Sequence, residues 1–190
     1  MINIAIFASG NGSNAQAIAD YLSGHSGISI KHIFCNKPDA YVIKRAENLS
    51  IPVTVFNRTD FYETGSVEEM LKKLEINWIV LAGFLWLIPE GIISAYKGRI
   101  INIHPALLPD FGGKGMYGHK VHEAVIASGK TESGITIHIV DEEYDHGKVL
   151  FQAKCTVTIS DTPDSLAQKI HQLEHLHFPA IVEKTILQTC

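Results

Sequence analysis

The sequence predicts a single α/β domain on an open, doubly wound and mostly parallel sheet, with an antiparallel strand addition near the C-terminus and a long final helix. Three observations support this. Between residues 1 and 105, short apolar runs alternate with segments of helical periodicity, which is typical of parallel strands joined by crossover helices. A glycine-rich turn at residues 8–14 joins the first run to the first helix. Beyond residue 110, two β-rich runs are separated by a short polar turn, as in an antiparallel pair.

The predicted elements follow in order along the chain. Strands are expected at residues 2–7, 28–35, 53–56, 78–82 and 99–104, and helices at residues 15–22, 42–49 and 66–74. A glycine-rich loop at residues 111–118 then precedes a helix at 119–128 and strands at 133–140 and 148–157. The last helix is expected to begin at Thr162 and Pro163, as cap and first turn, and to run to about Gln188. Pro179 is expected to kink or interrupt it.

Composition and charge exclude several classes of function. A chain of 190 residues suits one domain, and 46% hydrophobic against 19% charged residues is enough for a core and argues against disorder. The net charge of −4 disfavours a nucleic-acid surface, which needs clustered Lys and Arg, although a small anion can still bind through backbone amides. No apolar run reaches the roughly 20 residues of a membrane span. The first residues enter a strand pattern directly and do not resemble a signal peptide.

Cysteine and histidine spacing gives no sign of a metal site. Cys35, Cys155 and Cys190 are widely separated, which predicts free thiols in a reducing, cytoplasmic compartment. His171 and His175 lie four residues apart in a predicted helix, a spacing that can hold a metal. No third ligand has suitable spacing, so we expect a solvated or packing role for both and no metal.

The glycine-rich turn predicts an anion site. Its glycines allow close backbone approach, and the N–H groups and dipole of the following helix stabilise negative charge. The spacing Gly-x-Gly-x-x-Ala at residues 10–15 also fits a dinucleotide fingerprint, but residues 35–37 lack the acid that a ribose requires. Ser13 and Asn14 offer donors that suit a single phosphate. A turn that only reverses the chain remains an alternative.

Polar residues at the end of the fifth predicted strand suit acyl chemistry. Strand alternation places Asn102 and His104 on one face, at the carboxyl end. An amide can donate to a carbonyl oxygen that gains negative charge, and a histidine can do the same or move a proton. The pair therefore suits attack of an amine on an acyl carbon. A hydrogen-bonded structural histidine is the alternative, and these residues alone leave both open.

The turn at residues 141–147 carries four carboxylates within five residues, which is usually a solvated arrangement. Asp145 lies between two apolar strands, where it can face the same crevice. A carboxylate there can orient a histidine ring, stabilise its charged form and relay a proton through water. A calcium site is the rival interpretation, but the alternating ligand spacing of an EF-hand is absent.

These stretches, in this order over the whole chain, resemble the phosphoribosylglycinamide formyltransferases, folate-dependent enzymes of purine synthesis with a Rossmann-like fold. The matching stretches are residues 4–14 (IAIFASGNGSN), 81–84 (LAGF), 101–109 (INIHPALLP) and 141–147 (DEEYDHG). The motif Asn-x-His-Pro-x-Leu-Leu-Pro is specific to formyltransferases that use 10-formyltetrahydrofolate. The motif Ser-Gly-Asn-Gly-Ser-Asn separates the glycinamide ribonucleotide enzymes from their relatives.

The resemblance implies transfer of a formyl group from 10-formyltetrahydrofolate, the co-substrate, to the amine of glycinamide ribonucleotide, without a metal. Asn102 and His104 would polarise the formyl oxygen, and Asp145 would position His104 and a proton-carrying water. The implied substrate contacts are Gly12, Ser13, Asn14, Gly83 and Glu174. The implied folate contacts are Arg58, Leu85, Trp86, Leu87, Val140 and Asp141.

The resemblance also implies an organisation and a set of partners. One formyltransferase domain would comprise a phosphate-binding half, residues 1–105, and a folate-pocket half, residues 106–190. The partners would be small molecules, with no nucleic acid or membrane, and the protein a monomer or homodimer. Methionyl-tRNA formyltransferase and formyltetrahydrofolate hydrolase carry further modules that this chain is not expected to have. A dinucleotide-binding or sensor domain is the alternative from another class.

Two features depart from the family pattern. Trp86 occupies a position that is commonly Arg in the family, so its contact with folate must differ. The loop at residues 111–118 is longer and richer in glycine than usual, which suggests a lid with Lys114 as a phosphate or glutamate-tail contact.

Overall fold

The computed structural model describes residues 1–189 and contains one seven-stranded sheet. Its strands are β1 (Ile2–Ala8), β2 (Ile28–Cys35), β3 (Val53–Val55), β4 (Trp78–Leu81), β5 (Ile100–His104), β6 (Glu132–Ile139) and β7 (Val149–Thr156). The spatial order is β3-β2-β1-β4-β5-β6-β7, with β1 to β5 parallel and β6 and β7 antiparallel to their neighbours. The predicted fold class is confirmed.

Helices connect the strands and cover both faces of the sheet. They are α1 (Ser13–Tyr21), α2 (Val42–Asn48), α3 (Arg58–Tyr62), α4 (Ser66–Lys73), α5 (Glu90–Ala95), α6 (His119–Ser128) and α7 (Pro163–Gln188). The sequence did not predict α3 and α5, because helices this short show no clear periodicity. A capping box between Asn57 and Asp60 begins α3.

The final helix begins as predicted and contains its proline without a break. The Thr162 side chain accepts a hydrogen bond from the Ser165 N–H, and Pro163 occupies the first turn. Of the kink or interruption expected at Pro179, the interruption is wrong, because α7 continues to Gln188. Phe178 and Val182, on either side of the proline, are fully buried, and this packing stabilises the helix against the lost hydrogen bond.

The parallel strands are buried on both faces, which explains their continuous apolar runs. Alternate residues of β1 enter different cores: Ile4 and Ile6 lie in one cluster with α1, α6 and α7. Ala5 and Phe7 lie in the other cluster, where the Phe7 ring stacks on Phe34 at 4.8 Å. The strand order reverses between β1 and β4, so a crevice forms where their carboxyl ends diverge.

Three further expectations concern the whole chain. Cys35 and Cys155 are free thiols, and Cys190 lies outside the described residues. Within residues 1–189, no helix is long and apolar enough to cross a membrane. Over the same residues, no group of three or more His, Cys, Asp or Glu side chains comes together in a way that could hold a metal ion.

Candidate active site

A cavity of about 590 Å³ opens at the carboxyl edge of the sheet, at the crevice between β1 and β4. Its wall includes parts of all three loops to which the sequence assigns function, namely residues 9–14, 102–105 and 143–145. Residues 81–88 and part of the glycine-rich loop, residues 113–118, complete much of the wall. Segments distant in sequence therefore converge on one site, as expected of an open α/β sheet.

The glycine-rich turn is held in a shape suited to an anion. Gly12 caps α1 with a φ of 76°, and a Cβ atom there would lie 2.5 Å from Val42 Cγ2. Arg45 donates from Nε and Nη2 to the backbone and side-chain oxygens of Asn11, each at 2.9 Å. Ser13 and Asn14, the first residues of α1, line the cavity next to this fixed loop. The first N–H groups of a helix have no partner within it, so this arrangement suits a phosphate.

Asn102, His104 and Asp145 all line this cavity. His104 is 4% exposed, and its Nδ1 lies 3.4 Å from Asp145 Oδ2. Asn102 Nδ2 lies 3.1 Å from His138 Nε2. The His138 Nδ1–H donates to the Ile139 carbonyl at 3.0 Å, so Nε2 carries the lone pair that accepts from Asn102. One amide hydrogen of Asn102 is thereby held by the protein, and the other is left for a ligand.

The sequence analysis did not identify His138. It lies directly opposite Asn102 in the antiparallel pairing of β5 and β6, and its Nε2 is 3.7 Å from Asp145 Oδ1. That distance is too long for a hydrogen bond. The alternation of the predicted strand could have placed His138 on one face, but its partner depends on the register between strands, which the sequence does not give.

Both nitrogens of His104 face acceptors. Nε2 donates to the Phe111 carbonyl at 2.8 Å, so in the neutral ring the Nδ1 lone pair faces the Asp145 carboxylate. Only the protonated ring can donate to both. The site is therefore arranged to stabilise a proton that His104 takes up.

Burial opposes that proton in the resting site. Burial lowers the pKa of His104, and the Asp145 carboxylate and the Phe111 carbonyl offset this only in part. Burial acts to raise the pKa of Asp145, but the two nearby histidines and the Gly113 N–H outweigh it, so that pKa lies below its usual value. At neutral pH the site thus contains an ionised carboxylate beside a neutral imidazole.

The glycine-rich loop contacts this cluster directly. The Phe111 carbonyl accepts from His104, and the Gly113 N–H donates to Asp145 Oδ2 at 3.0 Å. Phe111 and Asp145 both have a φ of 55°, a left-handed conformation that is uncommon for residues other than glycine. Lys114 also lies in the cavity wall. The loop that the sequence suggested as a lid is therefore part of the site itself.

A second polar cluster lies at the glycine-turn end of the cavity. Asn14 Nδ2 donates to Glu174 Oε2 at 2.9 Å across 160 residues of sequence, and Glu174 is 6% exposed. His171 Nδ1 lies 3.0 Å from the same oxygen. The His171 side chain is 55% exposed, in keeping with the solvated role expected for it, and it also lines the cavity, whereas His175 does not. The buried His122 also lines this end and was missed by the sequence analysis.

The residues assigned to folate fall into two groups. Gly83, from the substrate set, and Leu85, Trp86, Leu87 and Val140 lie in the cavity wall. Arg58 and Asp141 do not line the cavity. The Asp141 carboxylate instead lies 3.1 Å from His146 Nδ1.

Trp86 belongs to an aromatic cluster beneath the rim of the cavity. The Arg58 guanidinium lies over the Trp86 ring, 4.7 Å from the ring centroid. The Trp86 and Phe56 rings meet edge to face, with 5.9 Å between their centroids. Arg58 therefore contacts a residue of the cavity wall without lining the cavity itself. The sequence could not show this arrangement, because Arg58 and Trp86 lie on different connections of the sheet.

The sheet order, the glycine-rich turn and the cluster of Asn102, His104 and Asp145 describe a doubly wound α/β protein with a polar cavity at its switch point. Residues 2–182 match the family described as formyl transferase. The chain is 41% identical over 185 residues to the chloroplastic phosphoribosylglycinamide formyltransferase of Arabidopsis thaliana, covering 94% of this chain and 63% of that relative. It is 37% identical over 191 residues to phosphoribosylglycinamide formyltransferase of Bacillus subtilis, covering 98% and 95%.

A solved structure agrees with these sequence matches. Glycinamide ribonucleotide transformylase 1 from Geobacillus kaustophilus aligns with a TM-score of 0.87 at 36% identity, over 96% of this chain and 97% of that one. This chain belongs to the formyl transferase family, so the resemblance drawn from its motifs is confirmed at that level.

Proposed function

We propose that this protein transfers the formyl group of 10-formyltetrahydrofolate to the amine of glycinamide ribonucleotide, giving formylglycinamide ribonucleotide and tetrahydrofolate in purine biosynthesis. One observation carries the proposal: a single cavity joins the glycine-rich turn to the Asn102, His104 and Asp145 cluster. A substrate with a phosphate at one end and an amine at the other fits that layout. Relatives that bear the corresponding name support it.

The proposed chemistry is addition followed by elimination. The amine attacks the formyl carbon, and the oxyanion that forms accepts the free amide hydrogen of Asn102 and the Nε2–H of His104. In the structure the Phe111 carbonyl accepts a hydrogen bond from this Nε2–H. The formyl oxygen would replace that carbonyl as the acceptor. The proton lost by the amine travels through water held by Asp145 to the departing folate nitrogen as the old carbon–nitrogen bond breaks.

The substrate and folate would occupy opposite ends of the cavity. Gly12, Ser13 and Asn14 would bind the phosphate, and Glu174 would bind the ribose hydroxyls. The apolar stretch of Leu85, Trp86 and Leu87, with Val140 and Gly83, would receive the folate ring system. Arg58 behind Trp86 would supply positive charge for the carboxylates of the glutamate tail, and Asp141 would contribute through its backbone at the rim.

We further propose that the protein acts in the cytoplasm on small molecules alone, as a monomer or homodimer, without a metal and without nucleic acid or a membrane as partner. The described thiols, Cys35 and Cys155, are unpaired, as suits a reducing compartment. Treatment with a chelator should leave turnover unchanged.

A formyl-transfer assay tests the function. With 10-formyltetrahydrofolate as donor, we expect tetrahydrofolate to form only when glycinamide ribonucleotide is present. Deformylation with water as acceptor would instead indicate a hydrolase. Absence of reaction with either acceptor, together with measurable NAD binding, would favour a dinucleotide-binding domain and contradict the proposal.

Gly12→Ala should weaken binding of the ribonucleotide. The added Cβ would overlap Val42, and alanine would have to adopt the left-handed backbone conformation of Gly12. The turn must therefore move, and its N–H groups would no longer point at the phosphate. We expect the KM for glycinamide ribonucleotide to rise about tenfold or more, from the loss of charge-assisted hydrogen bonds. Gly10→Ala is the matched control, because nothing lies within 4 Å of a Cβ there. Equal KM values for the two variants would count against the phosphate assignment.

A further inference from the structure

We propose that His122 is a further substrate-binding residue, whose imidazole hydrogen-bonds a neutral group of the ribonucleotide between its phosphate and its amine. The inference rests on the proposed function, since it takes the ribonucleotide as the ligand. Neither the motifs nor the catalytic cluster assigns a role to this residue.

The first observation is a buried imidazole without a partner. His122 is 4% exposed and lines the cavity, yet neither ring nitrogen hydrogen-bonds to any residue within 1–189. Its Nδ1 is fully enclosed, whereas its Nε2 is not. Buried polar atoms are nearly always paired, because an unpaired one costs stability. A ring left unpaired in the wall of a binding cavity is therefore available to a ligand.

The second observation is a further unpaired atom in the same wall. Asn14 donates from Nδ2 to Glu174, but its Oδ1 is buried without a partner. Asn14, Glu174 and His122 all line the cavity. Two unsatisfied polar groups thus accompany the residues that would bind phosphate and ribose, and a ligand with its own donors and acceptors would satisfy both.

The third observation is the position and charge state of the ring. His122 lines the cavity together with Glu174 and His171 of the proposed ribose end and His104 of the proposed catalytic end, and the charges of all three act on its ring. Burial, together with the charge on His171, lowers its pKa to about 4. The ring is therefore neutral at neutral pH, with one donor and one acceptor. A neutral ring does not suit the phosphate but does suit a ribose hydroxyl or the amide that joins the ribose to the reacting amine.

The test compares His122→Leu with the wild type and with His122→Gln, which places an amide near the position of Nε2. For His122→Leu we expect the KM for glycinamide ribonucleotide to rise about tenfold, as for a lost hydrogen bond, with kcat and the folate KM little changed. His122→Gln should restore much of the affinity. The melting temperature of His122→Leu should be equal to or above that of the wild type, because an unpaired buried polar group has been removed.

The matched control is His119→Leu. His119 lies one turn earlier on α6, 6.2 Å from His122 between ring centroids, but is exposed and outside the cavity wall. His119→Leu should leave the KM values for glycinamide ribonucleotide and for the folate unchanged. An analogue of the substrate without ribose hydroxyls separates the two ligand groups: an unchanged penalty from His122→Leu indicates the amide, and a lost penalty indicates a hydroxyl.

The outcomes are separable. A wild type without ribonucleotide-dependent transfer overturns the proposed function itself. An active wild type with an unchanged KM in His122→Leu overturns only the role of His122. A lower melting temperature with both KM values raised would assign His122 to packing, and a fall in kcat of about 100-fold would assign it to proton transfer, so either result contradicts a binding role.

Discussion

His104→Ala is expected to lower kcat about 100-fold or more, the usual effect of removing a general acid–base or an oxyanion donor. The alanine removes the Nε2–H that would meet the formyl oxygen and the ring whose charged form Asp145 stabilises. The KM for glycinamide ribonucleotide should change little, because the ring contacts Phe111 and Asp145 and not the turn proposed to bind the phosphate. Steady-state kinetics with both substrates varied would measure the two effects separately.

The matched control for His104→Ala is His175→Ala. His175 lies on the exposed side of α7 and does not line the cavity, so its replacement should leave kcat at the wild-type value. A near-normal kcat in His104→Ala would remove the ring from the chemistry and reopen the structural interpretation of this histidine. A fall in kcat with a matching fall in melting temperature would call for measurements at lower temperature, where the folded fraction is equal.

The sequence was sufficient to predict the main strands and the three loops that meet at one cavity. Continuous apolar runs identify strands that are buried on both faces, and in an open α/β sheet the carboxyl ends of such strands gather at one edge. This rule alone brings Gly12 and His104 together. Local patterns fail for α3 and α5, whose five and six residues are too few for periodicity. They also fail at Pro179, where tertiary packing overrides the local preference.

The remainder of the site depends on contacts that no local pattern contains. Asn14 meets Glu174 across 160 residues, and His138 meets Asn102 only because of the register between β5 and β6. His122 and His171 occupy ordinary helical positions, and only the packing of α6 and α7 around the cavity places them in its wall, where His175 does not lie. The sequence motifs therefore identify the proposed reacting end of the site better than the proposed substrate-binding end.

Asp145→Asn is expected to lower kcat about 100-fold or more while leaving the KM values close to normal. The amide has nearly the shape of the carboxylate, and its oxygen can still accept from the Gly113 N–H. It carries no negative charge, so it cannot stabilise a protonated His104 or accept the proton of the attacking amine through water. Glu142→Gln, an exposed carboxylate of the same turn outside the cavity wall, is the matched control and should be fully active.

The pH dependence of stability gives an independent measure of the same carboxylate. The folded-state pKa of Asp145 lies below that of the unfolded chain, so its contribution to the free energy of unfolding is present above about pH 4 and is lost as the pH falls through the lowered value. Asp145→Asn removes this titration. Its unfolding free energy should therefore depend less steeply on pH in the acid range than that of the wild type, as denaturant titrations at several pH values would show. Parallel acid dependences, with full activity of the variant, would mean that Asp145 is neither charged in the folded protein nor part of the proton route.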